Sequence, residues 1–535
     1  MAVGDIGRVM VQPVSELHDI QGILYSGYGT LGEASFLLLR VKDRGEAKEW
    51  LAAIVEEPNA EKLSYSVTSI ADLKSDDHKL HRTLQVAFTA PGLRNLGLQE
   101  EVLHAFSREF YFGMAGKDAE EEGRPRRLGD VDESAPTKWE WGAPNHEPDV
   151  LVMLYAEHGA LAAFQQMVIA DLALGFEILD TLRAADAPEN NDDQVRREPF
   201  GFIDGISQPA IDWKGERIVG IREDLEYGNL IATGEFLLGY PNEYGFYTSR
   251  PVLDPVQDPK DILRRAEDDR TRRDLGRNGT YLVFRQLEQN VPGFWQFVSK
   301  QSPEDEGVSL AEAMVGRRLS TGDPLVPASA PNTRGVGPEA IDIRQNGFTF
   351  DSDPEGLTCP FGSHIRRANP RTGDMPGGRQ GFLSWILRML GLKHDGPRED
   401  LISSSRLHRI VRRGRPYGDL IEPQAARRDD VHHNKSGIYF IALNANIARQ
   451  FEFIQTAWIM NAKFNGMSGE TDPLVGNRAA CPVGKATDSF VLPQPNGLNR
   501  RIAGLPQFIT LRGGAYFFLP SIRALRFFAQ PGDRG

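Results

Sequence analysis

Cysteine is scarce in this chain: Cys359 and Cys481 are the two among 535 residues. Two cysteines cannot build a disulfide framework, and a zinc ribbon needs more of them at closer spacing. Such usage fits a reducing compartment. The chain also lacks an excess of positive charge. Its formal net charge is −13, the wrong sign for a surface that grips nucleic-acid phosphates, although a local basic pocket is compatible with it. Long apolar runs are missing too: nothing approaches the ~18 residues of a membrane-crossing helix. The opening residues, MAVGDIGRVMVQPVSELHDIQG, contain neither an apolar targeting core nor twin arginines. A cytoplasmic protein with no nucleic-acid or membrane partner is the expectation. Several catalytic signatures are absent as well. There is no phosphate-cradling P-loop and no GxSxG nucleophile elbow. GRNGT and GMSGE are isolated glycine turns, not a dinucleotide fingerprint, and His432-His433 has no companions at metal-ligand spacing.

What remains is an ordinary globular composition, 40% hydrophobic and 25% charged, enough for a large core. The length suits two to four domains, or two large ones. In the first half, apolar strands alternate with helical patterns. FLLLRV (36–41) precedes a helical stretch, GEAKEWLAAIVEE. LQVAFTAPGLRNLG reads as a strand entering a turn, and EEVLHAFSREFYFGM as an amphipathic helix. DVLVMLYAE (149–157) is a buried strand, with the helix GALAAFQQMVIADLAL after it. The β-α-β-α-β order predicts an α+β sheet domain of the split-βαβ type. Residues 185–197 form a polar loop, which sets a boundary between domains 1–197 and 198–535. The second half repeats the kinds of element: strands at TYLVFRQLEQN (280–290) and SGIYFIALNANI (436–447), helices at VSLAEAMVGRRL and RQFEFIQTAWIMNAKF, and a strand with a helical tail in GAYFFLPSIRALRFFA. Residues 251–276 are heavily charged and expected to be a solvated excursion. FLSWILRMLGL (382–392) has an apolar face suited to covering a pocket or meeting a partner.

Three segments carry candidate chemistry. In EPFGFIDGISQP (198–209), Asp204 lies next to Gly205 and close to Phe200, Phe202 and Ile203. Glycine allows close backbone approach. A carboxylate among apolar neighbours is partly desolvated, which raises its pKa and suits acid–base work; the alternative is a turn aspartate bonded to its own backbone. In CPFGSHIRRANPR (359–371), His364 is a candidate iron ligand, and the neighbouring arginines are suited to carboxylates. The alternatives are a structural histidine and ordinary salt bridges. Cys359-Pro360 is a weaker ligand candidate than the histidine. In RLHRIVRRGRPYG (406–418), a strand or helix that turns one arginine into a pocket and leaves the others solvated would stabilise developing negative charge.

Taken in order, FGFIDGISQP, CPFGSHIRRANPR, IVRRGRPYG and the ending GLPQFITLRGGAYFFLPSIRAL resemble the dye-decolorizing peroxidase family. The length and the long insertion between His364 and Arg412 resemble its larger bacterial subfamilies. The resemblance implies two ferredoxin-like α+β domains, each an antiparallel sheet with helices, with haem b held mainly in the C-terminal one. It implies that His364 is the proximal iron ligand, Asp204 the distal acid–base residue and Arg412 the distal arginine, with Arg413 next if the register slips by one. It implies propionate contacts from Arg366 and Arg367, in a cofactor-binding set with His364 and Arg412. Where some members carry Ser or Asn two residues after the distal arginine, this chain has Gly414. The acidic partner of the proximal histidine stays open among Asn444, Asn446 and Glu452. The implied partners are hydrogen peroxide and small-molecule electron donors, and the resemblance allows a homo-oligomer. The implied activity is reduction of peroxide with one-electron oxidation of bulky dyes or phenols through surface Tyr or Trp. A haem-handling protein with incidental peroxidase activity is the other class.

Overall fold

The computed structural model describes residues 9–10, 13–56, 63–75, 79–116, 123–144, 146–187, 197–219, 228–327, 343–374, 404–428, 435–478 and 486–531. The apolar segment 382–392, Cys481 and the pair His432-His433 lie outside them.

Strand β1, Glu33–Val41, is apolar at six of its nine positions, and its first seven residues are buried. Alternation along a strand sends successive side chains to opposite faces. Leu37 and Leu39 enter one core, while Phe36 and Leu38 enter another on the far side of the sheet. Helix α1, Arg44–Ile54, starts where the Asp43 side chain accepts the Glu46 N–H, and it buries Ala47, Trp50, Leu51 and Ile54. Strands β2 (Arg82–Phe88) and β3 (Val150–Ala156) follow, then helix α2 (Leu161–Leu172) and strand β4 (Phe176–Arg183). α2 presents Leu161, Phe164, Val168 and Leu172, one stripe at helical spacing, to the first core. The strand order β4-β1-β3-β2 is antiparallel throughout, the ferredoxin-like arrangement.

The second half builds the same unit from β5 (Thr280–Gln289), helices α3 (Val291–Gln301) and α4 (Val308–Val315), the short pieces β6 (Val411–Arg412) and β7 (Arg415–Tyr417), β8 (Gly437–Asn444) and β9 (Ile509–Leu519). β8 is flanked by β6 and β7 on one side and by β5 on the other, and β9 closes the row. The two sheets meet where β9 pairs with β2 through Phe518 and Phe88, giving one nine-stranded sheet. A helix, α5 (Ile522–Phe528), follows β9; the short helix that carries His364 is described with the site.

Three expectations are refined. The helix expected over 100–114 is two pieces, Glu100–Leu103 and Arg108–Phe112, because the Ser107 side chain caps a new turn by accepting the Phe110 N–H. Residues 251–276 are a charged surface excursion, as expected, but one anchored from within. Leu253, Leu263, Ala266 and Leu275 are buried, and Asp258 receives the N–H groups of Ile262 and Leu263. Most of its charged side chains are exposed, as expected, but Asp274 is buried against Arg250 at 2.7 Å. The helix expected over RQFEFIQTAWIMNAKF is wide in its winding, with two π-helical stretches, Ala448–Glu452 and Ile454–Ile459. Among the described residues no helix is long and apolar enough to cross a membrane.

Candidate active site

The loop 198–209 is positioned from several sides. The Glu198 carboxylate accepts the N–H groups of Phe200 at 3.0 Å and Phe202 at 2.9 Å, and the Gln289 amide at 2.8 Å. Phe200 and Phe202 sink into a core with Phe294 and Trp295 of α3, and the Trp295 indole N–H reaches the Phe200 carbonyl at 3.1 Å. Gly201 and Gly205 have φ of 97° and 81°, a left-handed conformation that favours glycine. The loop is thus tied down on both sides of the aspartate, and Asp204 is left facing open space.

Arg412 stands at the end of β6. Its Nη1 donates to Asp204 Oδ1 at 2.9 Å, and its Nη2 to the Ser207 carbonyl at 3.3 Å. Gln208 clamps the arginine's backbone, accepting its N–H at 3.0 Å and donating to its carbonyl at 3.1 Å. Asp204 and Arg412 are 42% and 31% exposed, and both line the cavities described below. Burial pushes the Asp204 carboxyl up. The Arg412 charge, the Gly205 N–H and the Arg412 hydrogen bond outweigh it and hold the carboxyl below its usual range. The expected upward shift is therefore reversed, and Asp204 is ionised at neutral pH.

His364 opens a five-residue helix, His364–Ala368, after Ser363, whose hydroxyl donates to the Ala313 carbonyl of α4. The imidazole Nδ1 donates to Asp472 Oδ2 at 2.9 Å. Asp472 is fully buried, and its other oxygen accepts the N–H groups of Leu474 and Val475, each at 2.9 Å. Burial pushes the His364 pKa down, but the Asp472 charge and hydrogen bond raise it above its ordinary value. A carboxylate on Nδ1 fixes ring orientation and tautomer and leaves Nε2 to ligate.

Asp204, Arg412 and His364 line one inner cavity, with Phe440, Phe451 and Leu474 among its apolar walls. A second histidine, His408, also lines it. Its ring stacks on Phe453 at 3.6 Å, its Nδ1 faces the Arg449 carbonyl, and burial takes its pKa down to about 4. Two guanidiniums in this wall have nitrogens without a protein acceptor among the described residues: Arg317 Nη2 and Arg285 Nη1. An apolar slot with a carboxylate-oriented imidazole and buried, unanswered donors fits a flat metal cofactor that carries acidic groups.

Three expectations change at the site. Arg366 and Arg367, expected at propionates, lie outside the cavity wall. Arg366 donates to Asp353 and the Cys359 carbonyl, and Arg367 to the carbonyls of Trp458, Asn461 and Glu470. They pin the helix that carries His364. The histidine's partner is Asp472, not Asn444, Asn446 or Glu452. Asn446 accepts the Arg449 N–H, and Glu452 accepts the Tyr516 hydroxyl. Asp472 lies 108 residues beyond His364, in a Thr-Asp-Pro turn that carries no metal or catalytic signature. Arg413 and Arg415 are not solvated. Arg413 donates to the carbonyls of Ile23, Leu24 and Tyr25, and Arg415 to those of Gly27, Tyr28 and Leu31. Gly414 has a steric reason: a Cβ there would meet the Tyr439 carbonyl oxygen at 2.8 Å, so Ser or Asn requires β8 to move.

Paired ferredoxin-like sheets with a histidine-faced slot against the second one define a class of α+β protein. No family model matches the chain. It is 28% identical over 471 residues to a multifunctional dye peroxidase of Amycolatopsis sp., covering 84% of each chain. It is 26% identical over 526 residues to a dye-decolorizing peroxidase of Exidia glandulosa, covering 95% of this chain and 86% of that one. Among solved structures, a fungal DyP-type peroxidase from Auricularia auricula-judae superposes with a TM-score of 0.69 at 23% identity, over 96% of this chain and 99% of that one. Over most of its length the chain is thus similar in sequence to dye-decolorizing peroxidases and shares the fold of their solved structures.

Proposed function

We propose that this chain is a haem-dependent peroxidase that reduces hydrogen peroxide and oxidises dyes or phenols by one-electron steps. One observation carries the reading: an ionised aspartate, hydrogen-bonded to an arginine, shares an apolar cavity with a carboxylate-oriented histidine. Haem b, when bound, supplies the iron that accepts electrons from donors and passes them to peroxide. His364 is the iron ligand, with Asp472 orienting it. Arg317 and Arg285 are the donors for the cofactor's carboxylates, taking the role first given to Arg366 and Arg367. Asp204 accepts a proton from one peroxide oxygen and returns it to the other as the O–O bond breaks. Arg412 keeps Asp204 ionised and offsets the negative charge on the departing oxygen.

Asp204, His364, Arg412 and Asp472 all fall within residues 198–535, which supports assigning cofactor binding to the C-terminal domain. The scarcity of cysteine supports a reducing, cytoplasmic setting. Simple haem carriage needs neither Asp204 nor Arg412, so the pair supports an enzyme over a haem-handling protein. Rapid mixing of the haem-loaded protein with peroxide tests the roles. Asp204→Asn should slow the reaction by ~10²–10⁴-fold. Arg412→Leu should slow it and move the acid limb of its pH profile upward, since the charge that depresses the Asp204 pKa is gone. Unchanged rates in both variants would refute the acid–base assignment while leaving cofactor binding untouched.

A further inference from the structure

An outer cavity of about 610 Å³ adjoins the inner one, a size typical of small-molecule sites. The two share Glu198, Asp204 and Arg412 in their walls, so the outer cavity ends at the residues assigned to peroxide chemistry. Part of its wall is aromatic. Tyr25 and Trp213 meet at 6.0 Å between ring centroids with planes at 58°, and both keep partial exposure. Trp213 is the one tryptophan among the described residues that is not buried. Partly exposed aromatic rings are the side chains best suited to holding another ring.

The charge of the wall is unlike that of the chain. Arg197, Arg412, Arg413 and Arg415 line the cavity against two carboxylates, Glu198 and Asp204, in a protein of net charge −13. Arg197 is held by the carbonyls of Gly201 and Leu319, each at 2.7 Å, and by that of Ser320 at 3.2 Å. Carbonyl oxygens orient a guanidinium without cancelling its charge. Burial brings the Glu198 carboxyl up to about 7, with Asp204 repelling its charged form. At neutral pH this thins the negative charge further. A cationic recess in an acidic protein concentrates small anions.

We propose that the outer cavity is a binding site for small aromatic anions, such as phenols bearing a carboxylate, with Tyr25 and Trp213 holding the ring and the arginines selecting the charge. The proposal rests on the peroxidase reading and names the donor class for that site. Two bound phenolates, each losing one electron to become a phenoxyl radical, supply the two electrons that, with two protons, reduce one hydrogen peroxide to two waters.

The test uses the haem-loaded protein without peroxide and a probe that is not a phenol, 2-naphthalenesulfonate, with its binding followed by calorimetry. Trp213→Ala should weaken binding by ~10-fold, and Trp213→Phe should restore most of it. On the wild type alone, a naphthyl-trimethylammonium cation should bind at least ~10-fold more weakly than the sulfonate, and salt should weaken the sulfonate. In turnover, the sulfonate should raise the KM for 4-hydroxybenzoate without lowering kcat. Equal affinity for anion and cation, an unchanged Kd in Trp213→Ala, or inhibition that lowers kcat alone would overturn the proposal. Calorimetry needs no turnover, so failure of the peroxidase reading shows separately, as absent peroxide consumption with binding intact.

Discussion

At the residue scale, the same four letters, Phe-Ile-Asp-Gly, carry two different demands. The aspartate must be ionised, and the backbone that presents it must be rigid. Arg412 meets the first demand and Glu198 the second. Glu198 also has a pH signature of its own. Burial raises its pKa from 4.5 to about 7. Between those values the folded chain holds a proton that the unfolded chain has released, so stability falls as pH rises through that window. Glu198→Gln cannot titrate. The expected result is a melting temperature that declines from pH 5 to pH 7 more steeply in the wild type than in Glu198→Gln; parallel curves would contradict it. Asp204 and His364 stand out locally, as a Gly-flanked aspartate and a histidine after a Pro-Gly turn, but their proposed roles came from the family pattern. Arg412 also needed it, to be told from Arg413. Asp472 was not legible, because its role depends only on a contact closed by folding.

At the scale of elements, the short strand pair β6 and β7 sets the distal wall. β6 pairs Val411 with Leu443 and Arg412 with Ala442; β7 pairs Arg415 with Tyr439. Gly414 lies between them, its Cα side packed against the Tyr439 carbonyl. Gly414→Ser is expected to cost ~1–3 kcal/mol, read as a lower urea midpoint, and to displace Arg412 rather than add a useful hydroxyl. An unchanged midpoint would show that β8 yields freely. Strands and helices with strong periodicity, such as 280–289 and 161–172, were legible to within a residue or two. The helix over 100–114 was not, because a serine inside an apolar pattern can cap a new turn, and only the local hydrogen bond decides that it does. The arginine pair Arg366-Arg367 misled for a similar reason. Sequence shows two cations beside a candidate ligand, but helix geometry turns them toward Asp353 and the 458–470 backbone.

At the scale of the whole molecule, the first half lends the site support rather than chemistry. Carbonyls of residues 23–31 receive Arg413 and Arg415 and so fix the strand segment that holds Arg412. The sheets join through a single residue pair, Phe518 with Phe88, with Phe106 and Phe528 packed against them. Phe518→Ala is expected to cost ~3–5 kcal/mol, with circular dichroism and cofactor absorbance lost together on heating. Loss of one signal well before the other would mean that the halves are stabilised independently. The α+β class was legible from the alternation of elements. The edge-to-edge joining of the two sheets was not, since nothing in the local pattern of β2 or β9 names its partner.

The central claim is that His364 holds haem iron in the cavity that Asp204 and Arg412 share. The absorption spectrum of protein produced with adequate haem, wild type beside His364→Ala, tests it most directly. A Soret band in the wild type that is lost, or strongly altered, in the variant is the predicted result. A colourless wild type, or a variant with the same occupancy and spectrum, would contradict it.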